Sequence, residues 1–232
     1  EQYIALQNVG IELSLLEKIY IKKGEEYVAE NSTNPGIPLL IEQQKKNAEL
    51  YIIDCGEGMS RDIIENYWMT IGTDNKSNNF ITPNGRIKAG AKGIGRFALD
   101  KLGERCEMLT FFDVNVHNCK DEDSAFKGYR WNVNWNDFEG VDKTIDHVDA
   151  ELEGISTTYI ENIELLNIPD SIKDLLKVSK ATHGTILKIS GLRDIWDEEA
   201  VAQLYDDLGV LVPPIENQDY SIVLKDSLEP QK

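Results

Sequence analysis

An apolar run that ends in one acid and two closely spaced glycines constrains this chain more than any other feature. Residues 50–53 (LYII) are apolar, and they lead into Asp54, Gly56 and Gly58. Further along, residues 90–95 (GAKGIG) form a second glycine cluster before a helix-like run. An acid beside glycines can contact the polar edge of a ligand closely, and glycines before a helix expose backbone N–H groups to an anion. Together the clusters predict a nucleotide site, with the base at the first cluster and the phosphates at the second.

The overall charge argues against a nucleic-acid partner. The net charge is −17, and an acidic domain repels a phosphate backbone. Basic residues nevertheless gather inside the glycine-rich stretch: Lys76, Arg86, Lys88, Lys92 and Arg96. Their coincidence with the glycines favours an anion site, and a solvated loop with scattered charges is the alternative.

Cysteine usage and hydropathy indicate the compartment. Cys55, Cys106 and Cys119 are odd in number and lack metal-ligand spacing, which is typical of small buried thiols in a reducing compartment. No apolar run reaches the length of about 18–20 residues that spans a bilayer, and no signal-peptide pattern is present. We therefore expect a cytoplasmic protein without a membrane partner. Because the chain starts at Glu1 without a methionine, we expect it to be a fragment of a longer protein. We expect the fragment to be the N-terminal part of that protein.

Periodicity and turn residues predict an α+β fold. Helices are predicted within 2–20 (with Gly10 as a weak point), after a Ser60 cap, and over 94–102, 170–179 and 197–208. Strands are predicted at 48–53, 106–116, 128–136, 155–164, 184–190 and 220–224. The first strand is apolar on both faces and is therefore expected at the centre of the sheet.

The expected architecture is a single domain over residues 1–232. We expect a two-layer α/β sandwich in which a mixed, mostly antiparallel sheet carries helices on one face. Residues 1–48 are an N-terminal segment without a clear assignment. Residues 72–92 are polar and aperiodic, and a loop of that length in a compact domain often acts as a lid.

Four motifs in order resemble one known superfamily. DCGEGM, IGTDNK, GAKGIGRFA and THGTILKI resemble the GHKL ATPases, which include gyrase B, Hsp90, histidine kinases and MutL. The resemblance covers residues 48–190, is strongest over 50–103, and is closest to the Hsp90-, MutL- and MORC-like branch. It implies the Bergerat fold, an ATP lid over residues 72–92, and binding of ATP with Mg²⁺. It also implies slow hydrolysis, lid closure and a homodimer formed on ATP binding.

The resemblance implies which residues hold the base. Asp54 matches the acid that accepts a hydrogen bond from the adenine amino group, and Thr185 matches the threonine that supports this acid. Gly56 and Gly58 would let the chain pass close to the base, and Met59 would pack on it. The alternatives are a turn-capping aspartate and an ordinary strand threonine.

The resemblance also implies which residues hold the phosphates. The matching turn contains Gly93, Ile94, Gly95 and Arg96, and its alternative is a loop at a helix start. Lys92 is placed to reach a phosphate, and Lys76 would do so from the lid. Either lysine can equally be a solvated surface residue.

The catalytic half of the family pattern is not found. The family carries a helix of the form E-x-x-x-N, in which the glutamate activates water and the asparagine holds Mg²⁺. The nearest pairs are Glu12 with Leu16, Glu30 with Asn34, and Glu26 with Asn31. A leucine cannot ligate a metal, Asn34 precedes a proline that disfavours a continuing helix, and the third pair is one residue out of register. The catalytic base and the metal ligands are therefore left unassigned.

Three alternatives to an ATPase stay open. A non-hydrolysing nucleotide-binding module would keep the pocket without the catalytic glutamate. A histidine-kinase-like phosphotransferase needs a phosphoacceptor histidine on a helical hairpin, and His117, His147 and His183 have no such position. An interaction domain would use its glycines for structure alone.

Overall fold

The computed structural model describes residues 2–29, 33–68, 98–117, 125–138, 151–210 and 222–225. Its helices are α1 Gln2–Asn8, α2 Leu13–Ile19, α3 Ile37–Asn47, α4 Arg61–Ile63, α5 Leu99–Leu102, α6 Tyr159–Leu165, α7 Asp170–Val178 and α8 Glu198–Gly209. A π-helical turn, Ile64–Trp68, continues α4, and a 3₁₀ turn spans Trp135–Phe138. Its strands are β1 Tyr20–Lys23, β2 Glu26–Ala29, β3 Glu49–Asp54, β4 Gly103–Phe111, β5 Gly128–Asn134, β6 Glu151–Ile155 and β7 Gly184–Leu192. The chain is α+β, as predicted.

Five strands form one sheet in the order β3-β7-β4-β5-β6. All of the neighbouring pairs in this order are antiparallel, so the described sheet lacks the parallel pair that a mixed sheet requires. β3 lies at an edge of the described strands, and the prediction of a central position was wrong. Apolar residues on both faces of a strand indicate that both faces are covered by other residues. They do not indicate whether the strand lies at the centre or at the edge of the sheet.

A hydrophobic cluster covers one face of the sheet. It is formed by Leu109, Phe111, Tyr159, Ile163 and Ile186, all buried. Residues in register share a face, and Ile186 lies opposite both Ile53 and Leu109. Helix α6 therefore packs on the face that contains the side chains of Ile53, Ile186 and Leu109.

The start of α6 corrects one sequence prediction. Residues 155–164 were predicted as a strand, but α6 begins after Thr158, whose hydroxyl accepts a hydrogen bond from the N–H of Glu161 while the Glu161 carboxylate accepts from the N–H of Thr158. This capping box fixes a helix start. The actual strand, β6, ends at Ile155.

Helical residues also contact the opposite face. Met108 precedes Leu109 on β4 and is in register with Trp131 on β5. Both side chains therefore lie on the other side of the sheet from Leu109. Trp68, from the π-helical turn, packs edge-on against Trp131 with ring centroids 6.0 Å apart. The prediction of helices on one face only therefore needs correction, because helical segments flank both faces.

The chain divides into two compact units, and the sheet belongs to the second, Glu49–Leu192. The first unit contains residues 1–48 and 193–232. Its core is built by Tyr3, Leu6, Ile11, Leu15, Leu16, Ile19, Tyr20 and Leu40. Gly10, with φ +80°, separates α1 from α2, as its predicted weakness in a helix suggested. The β1–β2 hairpin was not predicted, and the single-domain organisation stays a prediction.

Most of the other element predictions are confirmed. The strands near 106, 128 and 184 and the helix over 170–179 are present. The helix predicted over 197–208 is also present, and the Asp197 side chain caps it by accepting a hydrogen bond from the N–H of Ala200. Ser60 lies at the N-cap of α4, but its side chain makes no capping hydrogen bond there. Residues 222–225 have no regular structure, and the rest of the strand predicted at 220–224 lies outside the described residues.

No helix among the described residues is long and apolar enough to cross a membrane.

We expect Ile163→Ala to destabilise the sheet-containing unit by about 2–5 kcal/mol, because it removes buried atoms from a closed cluster. Ile163 is fully buried, whereas Leu165 on the same helix is 82% exposed. Leu165→Ala should therefore change the free energy of unfolding by less than about 0.5 kcal/mol. Urea denaturation followed by tryptophan fluorescence measures both. Equal effects of the two substitutions would contradict the packing of α6 described above.

Candidate functional site

The end of β3 brings together the residues predicted to hold a base. Asp54 is the last residue of β3 and lies opposite Thr185 on β7, which in turn lies opposite Thr110 on β4. The three side chains therefore share the face of the sheet that also contains Trp131. Gly56, Gly58 and Met59 follow Asp54 directly in the adjoining loop. The sequence prediction that Asp54, these loop residues and Thr185 form one site is consistent with this arrangement.

The Asp54 carboxylate is held by donors on its protein side. Its Oδ1 accepts a hydrogen bond from the N–H of Gly56 at 2.8 Å, which closes an Asx turn. Thr185 also donates to it, from its backbone and from its hydroxyl. Burial raises the pKa of the Asp54 carboxyl above its ordinary value, and these hydrogen bonds oppose the rise. Asp54 nevertheless retains solvent access, so its carboxylate is enclosed by protein on one side and open on another.

Two glycines of the site occupy backbone positions that other residues cannot adopt easily. Gly58 has φ +64°, and a Cβ atom there would lie 1.9 Å from the carbonyl oxygen of Phe111. Gly184 has φ +151°, and a Cβ atom there would lie 2.2 Å from the carbonyl oxygen of Asp54. The absence of side chains at these positions lets the loop after β3 lie directly against β4, and the start of β7 against the end of β3.

Two hydrogen bonds tie the loop to β4 and to the residues after it. The N–H of Met59 donates to the hydroxyl oxygen of Thr110 at 2.8 Å, and the N–H of Asp113 donates to the carbonyl of Glu57 at 2.9 Å. The loop is thus fixed to β4 and to the residues that follow it. Met59 itself is partly exposed, so its side chain is available to contact a ligand near Asp54.

A tyrosine holds the end of β3 from the other face. Tyr159 is fully buried, and its hydroxyl donates to the carbonyl oxygen of Asp54 at 2.8 Å. The Tyr159 hydroxyl also lies 3.8 Å from the thiol of Cys55, which is exposed and 3.9 Å from the Ser179 hydroxyl. Neither contact supplies a base for the thiol, and a catalytic thiol needs one.

A histidine contacts the loop at its first glycine. His183 Nδ1 lies 2.6 Å from the carbonyl oxygen of Gly56 and donates to it, and His183 Nε2 lies 3.5 Å from Oδ2 of Asp113. Hydrogen bonds from the backbone and the side chain of Asn115, together with the nearby His183, hold the pKa of Asp113 below its usual range. His183 therefore connects the candidate base-binding loop to a neighbouring carboxylate.

Sequence reasoning missed three residues of this arrangement. Thr110 is a single hydroxyl in the apolar run of β4, which is a signal for a buried polar contact. Tyr159 lay in a segment predicted as strand, and His183 was considered only as a phosphoacceptor, for which its position is unsuitable. Their contacts join residues that are far apart in the chain, so they depend on the register of the sheet and on the packing of α6, which local sequence patterns do not determine.

The predicted phosphate residues lie outside the described part of the chain. These are Lys76, Lys92, Gly93, Ile94, Gly95 and Arg96, together with the proposed lid over 72–92. Their roles stay predictions.

The described members of the three catalytic pairs do not form a family-type site. Glu12 is the N-cap of α2, and Leu16 is fully buried in the core of the first unit. The Asn34 side chain donates to the carbonyl of Lys18 and accepts from the N–H of Gly36. Glu26 lies on β2, and Glu30 and Asn31 lie outside the described residues.

No metal centre is formed by the described residues. Within them, no group of three or more His, Cys, Asp or Glu side chains is placed to hold an ion. The binding of Mg²⁺ therefore stays a prediction.

A separate concave region of about 400 Å³ lies on the sheet face away from Asp54. Arg105, Glu107, Asn132, Asn134, Lys188 and Ser190 line it, together with Cys106, Val133, Asp137 and Glu151. Arg105 and Lys188 are offset by Glu107, Asp137 and Glu151, so the lining carries mixed charge and does not favour a polyanion.

Comparison with known proteins assigns no family. No protein-family model matches the chain, and no curated protein is significantly similar to it.

We expect Gly58→Ala to destabilise the protein by more than about 2 kcal/mol, because a left-handed backbone and a steric clash act together. Gly24, in the β1–β2 turn, is a matched control. It has φ +69°, but a Cβ atom there would have no neighbour within 4 Å. Gly24→Ala should therefore cost only the backbone term, about 1 kcal/mol. Thermal unfolding of both variants isolates the effect of the contact with Phe111, and equal losses would argue against that contact.

The raised pKa of Asp54 predicts a pH-dependent stability difference between the wild type and Asp54→Asn. An acid whose pKa is raised on folding contributes its full stability below its unfolded value, near 3.8, and loses that contribution as the pH rises through its folded pKa. Asn does not titrate, so the stability of the wild type relative to the variant should fall as the pH rises from about 4 towards neutrality.

Urea midpoints of both proteins between pH 4 and pH 8 measure this difference. All other titrating groups are common to the two proteins and largely cancel. A difference that is flat, or that rises with pH in favour of the wild type, would contradict the raised pKa of Asp54.

Proposed function

We propose that the loop after β3 binds the base of an adenine nucleotide. The observation that carries the proposal is the Asp54 carboxylate, which accepts hydrogen bonds from Gly56 and Thr185 on its protein side and keeps solvent access. An ionised carboxylate is an acceptor only. It would therefore pair with an exocyclic amino group and would be left facing another acceptor by a carbonyl-bearing base.

The local geometry supports a flat ligand at this position. Gly56 and Gly58 have no side chains, and the Gly58 backbone lies against β4. A planar base can approach the Asp54 carboxylate without meeting a Cβ atom from either glycine. The thioether of Met59 would contact the face of the base, as methionines commonly contact aromatic rings.

The order of motifs supports placing this site in a GHKL-type ATP-binding domain of the Bergerat fold, from the Hsp90-, MutL- and MORC-like branch. In this proposal Gly93, Ile94, Gly95 and Arg96 cradle the phosphates, and Lys92 and Lys76 contact them. Residues 72–92 would close over the bound ATP and Mg²⁺. The nucleotide would then act as a switch between conformational or dimeric states.

A second candidate is a nucleotide-binding module that does not hydrolyse ATP. The buried position of Leu16 and the contacts of Asn34 with Lys18 and Gly36 favour it, because neither pair offers both a base and a metal ligand. Without a positioned base, bound ATP would be cleaved very slowly. Phosphate release measured on the nucleotide-saturated protein separates the two candidates.

Nucleotide binding is tested by calorimetry with ATP, ADP and GTP. We expect the wild type to bind the adenine nucleotides, and we expect Asp54→Asn to lower the affinity for ATP by at least about 30-fold, because a charged hydrogen-bond acceptor is lost. Asp174→Asn is a matched control, since Asp174 is an exposed carboxylate on α7. This control should bind ATP as the wild type does.

Thermal unfolding provides an independent measurement. ATP at a hundred times its dissociation constant should stabilise the wild type by about 2.7 kcal/mol. Stabilisation of Asp54→Asn equal to that of the wild type would remove Asp54 from the site. Absence of any shift with every nucleotide would favour an interaction domain with structural glycines.

A further inference from the structure

A fully buried threonine lies on β4, on the same face of the sheet as Asp54 and two strands away from it. Thr110 is 0% exposed and is in register with Thr185, which is itself in register with Asp54. Buried hydroxyls in a hydrophobic core are unfavourable unless they are hydrogen-bonded. The contacts of Thr110 therefore explain why a polar residue occupies this position.

The hydrogen bonds of Thr110 have a defined direction. A backbone N–H can only donate, so the Thr110 oxygen accepts from Met59, at 2.8 Å. The hydroxyl proton of Thr110 is then available for Thr185, whose hydroxyl oxygen lies 3.3 Å away. This distance is long for a hydrogen bond between hydroxyls. The interaction is therefore weak, and its main effect is to set the orientation of the Thr185 hydroxyl.

The hydrogen bond between Thr185 and the Asp54 carboxylate also has a defined direction. Thr185 lies opposite Asp54 in the ladder, and an ionised carboxylate can only accept, so the Thr185 hydroxyl is the donor in the hydrogen bond between these side chains. The chain of donors thus runs from the Met59 N–H through Thr110 and Thr185 to Asp54. Because the single proton of the Thr185 hydroxyl is used on Asp54, Thr185 has no proton left to donate to a ligand.

We propose that Thr110 is a positioning residue that determines the base specificity of this site. It fixes the proton of Thr185 on Asp54, so that the side chains of Asp54 and Thr185 present only acceptors to the base and select an amino group over a carbonyl oxygen. This inference rests on the proposed binding of adenine nucleotides. Removal of the Thr110 hydroxyl would free the Thr185 hydroxyl to rotate and would leave the Met59 N–H without its partner.

ATP and inosine triphosphate distinguish specificity from general damage. The two nucleotides differ only along one edge of the base: ATP has an amino group and an acceptor nitrogen there, and inosine triphosphate has a carbonyl and an N–H group. In the wild type we expect ATP to bind much more tightly. In Thr110→Val the ratio of the two affinities should fall by about tenfold, the effect of one lost hydrogen bond. In Thr110→Ser, which keeps the hydroxyl, the ratio should remain near that of the wild type.

Titration calorimetry of both nucleotides against the three proteins decides the matter. A role of Thr110 in stability alone would lower both affinities equally or leave both unchanged, and either result in Thr110→Val overturns the inference. If Thr110→Val does not fold, Thr110→Cys replaces it with the same expectation, because a thiol is only a weak donor. Failure of the wild type to bind either nucleotide would instead refute the proposed function itself, and the inference with it.

Discussion

The antiparallel ladder between β3 and β7 is the constraint on which the candidate site depends. It places Thr185 beside Asp54. Lone pairs on the protein side of the carboxylate are therefore already occupied by donors of the protein. The ladder can extend to the last residue of β3 because Gly184 has no side chain, and a Cβ atom there would strike the Asp54 carbonyl. The chemistry of the site therefore follows from a close approach of two backbones.

The two faces of the sheet have different roles at the end of β3. On one face, Tyr159 belongs to the hydrophobic cluster and binds the carbonyl of Asp54, so the core holds the backbone of the site in place. On the other face, the side chain of Asp54 meets the hydroxyls of Thr185 and, behind it, Thr110. The residue that would meet a ligand thus has its main chain fixed by the apolar core and its carboxylate fixed by polar groups.

The sequence predicted the local parts of this site and missed its long-range parts. Asp54, Gly56, Gly58 and Met59 are close together in the chain, so a pattern of a strand followed by glycines was enough to group them. Thr110 and His183 meet the same loop from distant positions, and their contacts depend on strand register, which the side-chain pattern of one strand does not determine.

The fold shows the same division between local and long-range information. Strands and helices with clear alternation or caps, such as β5 and α8, were predicted correctly. The strand predicted over 155–164 was wrong because the capping signal formed by Thr158 and Glu161 was overlooked. The edge position of β3 was missed because neighbouring strands come from distant parts of the chain.

The packing of Gly58 against Phe111 has a consequence for how such motifs change during evolution. Any side chain at this position would collide with the backbone of β4, so a descendant protein with the same fold would retain the glycine whether or not it still bound a ligand. Asp54 is under no such steric constraint, because its carboxylate keeps solvent access. Among related chains, loss of the acid with retention of the glycine would mark proteins that kept the fold and gave up the site.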